Sequence, residues 1–355
     1  MPSPENKSHK ELMDEVKAHH QSNLPFVIFK YPHKRELKAI MQSDTELNYT
    51  TDFNHPGFVF SPFDDTNGTV LMQPDKAITA KLDTGIVRKG NNTPDYLMDD
   101  TEALRYKKMV AEAVKAIQNK ELNKVVLSRS MEVTTEKSAI DIFNELIREY
   151  PSAFCYCWSH PGIGCWLGAT PEILLQVQGN RFSTVALAGT IEKSGDKKPN
   201  WTEKEKEEQQ LVTGYIEEAM AGLGIEVKSS EVQTTDAGTL WHLKTTITGV
   251  VKANQTAKMI RTLHPTPAVC GIPLEEARTY IRQHEAYKRK FYTGYLGEIE
   301  VKPQQATRLF VNLRCMELRE NKATIYVGGG ITLDSDPEKE WQETIAKSRT
   351  ILKVL

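Results

Sequence analysis

The sequence lacks the features that mark a polyanion-binding, disulfide-built or membrane-spanning chain. Lys and Arg number 45 against 47 Asp and Glu, a formal net charge of −2. A protein whose main work is neutralising phosphate backbones needs a basic excess, so no nucleic-acid partner is expected. No apolar run approaches the roughly 18 residues of a membrane span, so no membrane partner is expected either. The first twenty residues, MPSPENKSHKELMDEVKAHH, contain no apolar core of the secretory type, and a cytoplasmic location is expected. Cysteine is scarce. Cys155, Cys157, Cys165, Cys270 and Cys315 are odd in number and loosely spaced, which fits neither a disulfide framework nor a CxxC zinc site. They read as small buried hydrophobes. There is no internal repeat and no low-complexity tract.

What is present is an ordinary globular mixture, 39% hydrophobic and 26% charged, which excludes wholesale disorder. Residues 1–95 carry turn chemistry at Asn54–Ser61 and Asp64–Gly68 between short apolar runs, and read as strands with irregular connections. Lys89–Pro94 reads as a loop. Beyond it, Tyr106, Val110, Val114 and Ile117 recur at helical spacing over about 101–119. Lys124–Ser128 reads as a buried strand and Ile140–Tyr150 as a helix. Ala153–Trp158, Gly164–Leu167, Ile173–Val177 and Phe182–Ala186 read as a meander. Helices are expected over Trp201–Leu223, Pro273–Phe291 and Pro337–Leu355, and strands over Leu240–Val251, Arg308–Leu318 and Ala323–Val327. Strands in runs, with helices interspersed out of strict alternation, predict an α+β arrangement of antiparallel sheets with helices outside.

Several residues stand out chemically. On the last helix, Trp341, Ile345, Leu352 and Leu355 form one stripe, while Glu340, Glu343 and Lys347 form another at i, i+3 and i+7. Upstream lies Gly328-Gly329-Gly330, which reads either as a flexible turn or as bare backbone offered to an anion. On the 201–223 helix the stripe Leu211, Val212, Tyr215, Ile216 and Ala219, extended backwards, passes through Glu208. A carboxylate there needs a metal or a cation beside it, although Lys204 and Glu205 also fall near the stripe. Lys124 opens an apolar strand and Glu172 follows the turn Gly168–Pro171. Either is a surface charge or, if desolvated, a base and an acid respectively. His242, between Trp241 and Leu243, is a core histidine or a site residue.

Taken together, KVVLSR (124–129), GATPEILL (168–175), ALAGTI (186–191), EKEKEEQQLV (203–212), LWHL (240–243), LHPTPAVCGIP (263–273), FYTGYLG (291–297), LFVNLRC (309–315) and GGGI…DPEKEWQET (328–344) resemble the chorismate-utilising enzyme family. The resemblance runs in order from about residue 100 to the end. The family includes isochorismate, salicylate, anthranilate and aminodeoxychorismate synthases. It implies the anthranilate/aminodeoxychorismate-synthase-like fold, two packed, largely antiparallel β-sheets surrounded by helices, with a buried Mg²⁺-dependent site. Residues 1–95 are then the N-terminal part of the same fold and residues 96–355 the chorismate-binding core. The motifs span Lys124 to Lys347, so a single structural domain is expected.

The branch follows from two positions. Lys124 is similar to the water-activating lysine of isochorismate and salicylate synthases, where amine-using members commonly carry glutamine. Ala268 is similar to isochorismate synthases, where lyase-competent members typically carry threonine. The resemblance therefore implies isochorismate synthesis from chorismate, with salicylate synthesis as the alternative and no glutaminase subunit. It implies Lys124 as general base for water attacking C2, and Glu172 as general acid for the hydroxyl leaving C4. Glu208 and Glu343 are implied as Mg²⁺ carboxylates, with Glu340 close by through water. Arg314, Lys347 and the backbone at Gly328 and Gly329 are implied to hold the enolpyruvyl carboxylate. Gly189, Thr190, His242, Ala268, Val269 and Tyr292 are implied to line the substrate. Glu205 and Gln209 depart from the family's usual Asp and His, and the glycine loop is GGG rather than GAG-like. A monomer is expected, and a single undecorated domain leans towards menaquinone rather than catechol siderophore synthesis.

Overall fold

Short runs of β-branched and aromatic residues dominate the chain, and they form two ten-stranded sheets. The computed structural model describes residues 2–64, 68–83, 100–193, 199–237, 240–252, 255–300 and 306–355. The expected Lys89–Pro94 loop, and the middle of the expected Asp64–Gly68 turn, lie outside the described residues. The first sheet runs, edge to edge, through Glu5–Lys7, Lys76–Lys81, Glu36–Met41, Phe26–Lys30, Phe154–His160, Gly164–Thr170, Cys315–Arg319, Lys322–Ile331, Lys124–Thr134 and Gly271–Ile272. The second runs through Val227–Ser229, Leu240–Val250, Arg181–Glu192, Ile173–Gln178, Ala306–Val311, Tyr295–Glu300, Gly57–Ser61, Thr69–Met72 and Asn48–Thr50, with Gln233–Ala237 also on Leu240–Val250. Among the described residues pairing is antiparallel except between Glu5–Lys7 and Lys76–Lys81.

The helices are α1 (His9–Gln21), α2 (Asp100–Gln118), α3 (Ala139–Glu149), α4 (Glu203–Gly222), α5 (Thr256–Leu263), α6 (Leu274–His284) and α7 (Pro337–Leu352). Between the sheets lies an aromatic core in which Phe154 stacks on Phe310 at 4.2 Å and Phe60 meets Trp158 at 5.0 Å. Rings opposed across two inner faces are large apolar surfaces that hold the sandwich shut. The outer face of the first sheet packs on α1 and α3, and that of the second on α4 and α5. Strands of the N-terminal region enter both sheets, Phe26–Lys30 beside Phe154–His160 and Gly57–Ser61 beside Tyr295–Glu300.

The structure corrects the sequence reading in several places. Helix α1 was not expected in the polar N-terminus, yet Ser8 and Glu11 close a capping box around its first turn and Leu12 and Val16 are buried. The expected helix Pro273–Phe291 stops at His284, because Glu285 turns extended to pair with Arg289. The strand expected to end at Val327 runs on through all three glycines to Ile331, paired with Val125–Thr134. The expected meander is divided: 154–160 and 164–170 belong to the first sheet, 173–178 and 181–192 to the second. The chain changes sheets at Pro171-Glu172. On α4 the buried row is Gln209, Val212, Ile216 and Met220, with Tyr215 and Ala219 of the expected stripe packed against it, whereas Leu211 is 37% exposed. Leu355, expected on the last helix, lies beyond its end.

Candidate active site

One cavity between the sheets collects nearly all the side chains singled out in the sequence. Glu172, Gly189, Thr190, Glu208, His242, Ala268, Val269, Tyr292, Arg314, Gly328, Gly329, Glu343 and Lys347 all line it. Lys124 and Glu340 do not line it: Lys124 stands behind the wall, bound to Glu208 there, and Glu340 is bound to Lys204, which does not line the cavity either.

Glu172 is placed by the crossover between sheets. Thr170 ends one strand and Ile173 begins the next, so the Glu172 side chain has both sheets around it. It is 4% exposed. Burial pushes its carboxyl up to about 8, against the opposing pull of Lys124, Lys347 and Arg314. It is therefore a protonated acid at neutral pH. Lys124 opens the Lys124–Thr134 strand, is fully buried, and donates from Nζ to Glu208 Oε1 at 2.8 Å. Burial would push Glu208 up, but the Lys124 ammonium, followed by Lys347 and Lys204, outweighs it and holds the carboxylate below its usual range.

A second group is neutral by construction. His242 lies opposite Thr190 across a bulge at Gly189, whose φ of +72° suits glycine. Burial, then the Arg314 and Lys347 cations, push His242 down to about 3. Its Nδ1 lies 3.0 Å from the Gly189 carbonyl and its Nε2 3.1 Å from Arg314 Nη2. The carbonyl requires a proton on Nδ1, so Nε2 accepts from the guanidinium and fixes its direction. Lys347 Nζ donates to the Gly328 carbonyl at 2.9 Å and pairs with Glu343 Oε1 at 2.6 Å.

The three glycines are needed individually. A Cβ at Gly328 would lie 2.6 Å from the Leu127 carbonyl oxygen, a backbone atom that cannot give way. At Gly330 it would lie 2.6 Å from Glu208 Oε1 and 3.4 Å from Lys124 Nζ, both ends of flexible side chains. Gly330→Ala is therefore expected to fold with a melting temperature close to that of the unsubstituted chain. Its kcat/KM should fall by up to about 100-fold, the cost of misplacing a reacting group by an ångström. Steady-state kinetics beside a thermal melt checks this, and equal losses of activity and folded fraction would contradict it.

Among the described residues no three His, Cys, Asp or Glu side chains form a ready metal cluster. Each glutamate of interest instead faces a lysine: Glu208 on Lys124, Glu340 on Lys204 and Glu343 on Lys347. The donors nevertheless fit a hard cation. Glu340 Oε2 is buried without a hydrogen-bond partner among the described residues. It lies 3.1 Å from the Cβ position of Gly329, and Glu343 Oε1 lies 3.5 Å from the same point. Two carboxylate oxygens beside one point, with Glu208 Oε1 next to Gly330, suit a divalent ion that keeps several waters.

Some contributors were not anticipated. Val126, Leu187, Leu313 and Tyr326 supply apolar wall. Gln209, noted in the sequence only as a departure, accepts from Ala188 N and donates to Ala186 O and Thr245 Oγ1, stitching the bulge beside Gly189. Its spacing with Val212 and Ile216 was the available signal. Glu205 caps α4 from Thr202.

Residues 71–355 match the family model for chorismate binding enzyme. Isochorismate synthase EntC of Escherichia coli (strain K12) is 33% identical over 266 residues, 71% of this chain and 67% of that protein. Among solved structures, DhbC from Bacillus anthracis superposes with a TM-score of 0.81 over 97% of this chain and 98% of that one, at 24% identity. Anthranilate synthase component I from Streptococcus pneumoniae TIGR4 gives 0.69 over 93% and 90%, at 19% identity. The shared fold is thus the one implied by the sequence motifs. Among the described residues no helix is long and apolar enough to cross a membrane.

Proposed function

The chain belongs to the chorismate-binding enzyme family, and on that premise we propose the chemistry its cavity performs. The protein is an isochorismate synthase, isomerising chorismate to isochorismate. Water attacks C2 of the ring and gives up a proton to Lys124, which enters the step as the free amine, its ammonium proton having passed to solvent beforehand. The ring double bonds shift, and the C4 hydroxyl leaves as water with the proton of Glu172. One water enters and one departs, so the reaction is balanced without an oxidant or a second substrate. The observation that carries this reading is Glu172, held protonated by burial at the wall of a cavity that also holds Arg314 and Lys347.

The remaining side chains bind a small dianion. Arg314, directed by neutral His242, offers a planar fork to a carboxylate, and Lys347 offers a point charge beside the Gly328 backbone. Glu208 and Glu343, with Glu340 behind them, would hold Mg²⁺, which supplies positive charge to the ring carboxylate. Thr190, Ala268, Val269 and Tyr292 shape the space around the ring. We place the enzyme in the cytoplasm as a monomer without a glutaminase subunit, its product going towards menaquinone. Ala268 at the wall in place of a hydroxyl supports isomerisation without elimination of pyruvate.

Incubation with chorismate and Mg²⁺, followed by separation of products, tests the reading. Isochorismate formed without ammonia is expected. Salicylate and pyruvate as sole products would overturn it in favour of salicylate synthesis, and a requirement for ammonia would overturn the choice of water as nucleophile.

A further inference from the structure

Glu340 is unevenly satisfied. Its Oε1 accepts from Lys204 Nζ at 2.8 Å and from Ser335 Oγ at 2.7 Å. Its Oε2 has no partner among the described residues, although the residue is 1% exposed. That bare oxygen faces Gly329 on the side where Glu343 also points. The two donors come from separate elements, Lys204 from the first turn of α4 and Ser335 from the turn before α7. Lys204 and Glu208 are one helical turn apart on α4, so the same face that carries Glu208 also reaches Glu340. Glu205, between them, is engaged in the helix cap and takes no part.

We infer that Lys204 and Ser335 are positioning residues for the cation: they grip Oε1 so that Oε2 is presented to the ion. This rests on the proposed role of the glutamates as metal carboxylates. Partners in the outer layer of a metal site commonly carry a 10- to 100-fold share of its affinity by orienting the ligands. An alternative is that Lys204 occupies the place of the ion and competes with it. The geometry argues against competition, because Lys204 sits on Oε1 and leaves the Oε2 that lies with Glu343 Oε1 beside Gly329.

The experiment is Mn²⁺ titration of the full-length protein followed by electron paramagnetic resonance, with a melting curve without metal for each variant. Lys204→Met should weaken Mn²⁺ binding by about 10- to 100-fold. Lys204→Arg should recover most of the loss, since it keeps the charge and reach. Ser335→Ala should weaken binding by a smaller factor, and it decides the matter if Lys204→Met does not fold. Unchanged affinity in the folded variants overturns the positioning role, and tighter binding in Lys204→Met overturns it in favour of competition. Glu340→Gln and Glu343→Gln separate the two levels. If they leave Mn²⁺ binding intact, the carboxylate site itself is wrong and the inference falls with it. If they abolish binding while Lys204→Met and Ser335→Ala do not weaken it, only the positioning role falls.

Discussion

Replacing Glu172 with Gln is expected to lower kcat by about 10²–10⁴-fold, the range a positioned general acid contributes, while the folded protein becomes less sensitive to alkali. The amide keeps the size and polarity of the acid but has no proton to give to the departing C4 hydroxyl. In the unsubstituted enzyme, activity governed by this acid should fall as pH rises through about 8, where its proton is lost. The stability effect has a definite sign. A carboxyl raised in the folded state favours folding fully below its ordinary value of 4.5, and that contribution is lost as pH rises through about 8. Glu172→Gln removes the dependence, so its melting temperature should exceed that of the parent at about pH 9 and lose the advantage at about pH 5. Parallel melting curves across that range would show that Glu172 is not buried as an acid. An unchanged alkaline limb in the rate profile of the parent would remove it from the proton-transfer step.

Lys124→Met should lose activity over a similar range of about 10²–10⁴-fold, and unlike Glu172→Gln it should also destabilise the protein. Lys124 is fully buried and its partner Glu208 only partly exposed. Removing one member of a buried pair leaves the other charge uncompensated, at a cost of about 3–5 kcal/mol when no other cation is near. Here Lys347 and Lys204 also act on Glu208, so the loss should fall towards the lower end. The sign against pH is opposite to that of Glu172. A depressed carboxylate favours folding above its ordinary value and loses that contribution as pH falls, so the difference between parent and Lys124→Met should shrink in acid. Denaturant unfolding at neutral and acid pH reads this directly. A folded Lys124→Met enzyme with parental turnover would exclude Lys124 as the base.

The sequence disclosed the site better than it disclosed the path of the chain. Helices α2, α4 and α7 announce themselves because their apolar residues recur at helical spacing, and α7 brings Glu343 and Lys347 to the cavity wall, with Glu340 Oε2 near Glu343 at Gly329 but behind the wall. The glycines misled, since three in a row read as a break, whereas here they continue a strand and make room for Glu208 and the neighbouring carboxylates. Helix α1 was hidden by its polarity, with only the Ser8–Glu11 box to betray it. The α4 stripe pointed to Glu208 for a partly mistaken reason: the buried row belongs to Gln209, and Glu208 stands beside it, satisfied by Lys124. The burial of Lys124 was not legible, because one lysine at a strand end says nothing about its depth, and the role of base was only implied by the family resemblance. The motifs leave the division of strands between sheets unstated, since local pairing signals look alike on either side of Pro171.

That division has a consequence for how the molecule can be altered. Lys124 and Glu343 are carried by the first sheet and its helix, Glu208 and His242 by the second, and Glu172 by the link between them. Turnover is therefore a test of docking: a half-molecule, or a chain whose halves have closed a little out of true, has the residues and lacks the geometry. Activity should vanish before either layer melts, which makes catalysis the first casualty of loosening and a sensitive gauge of it.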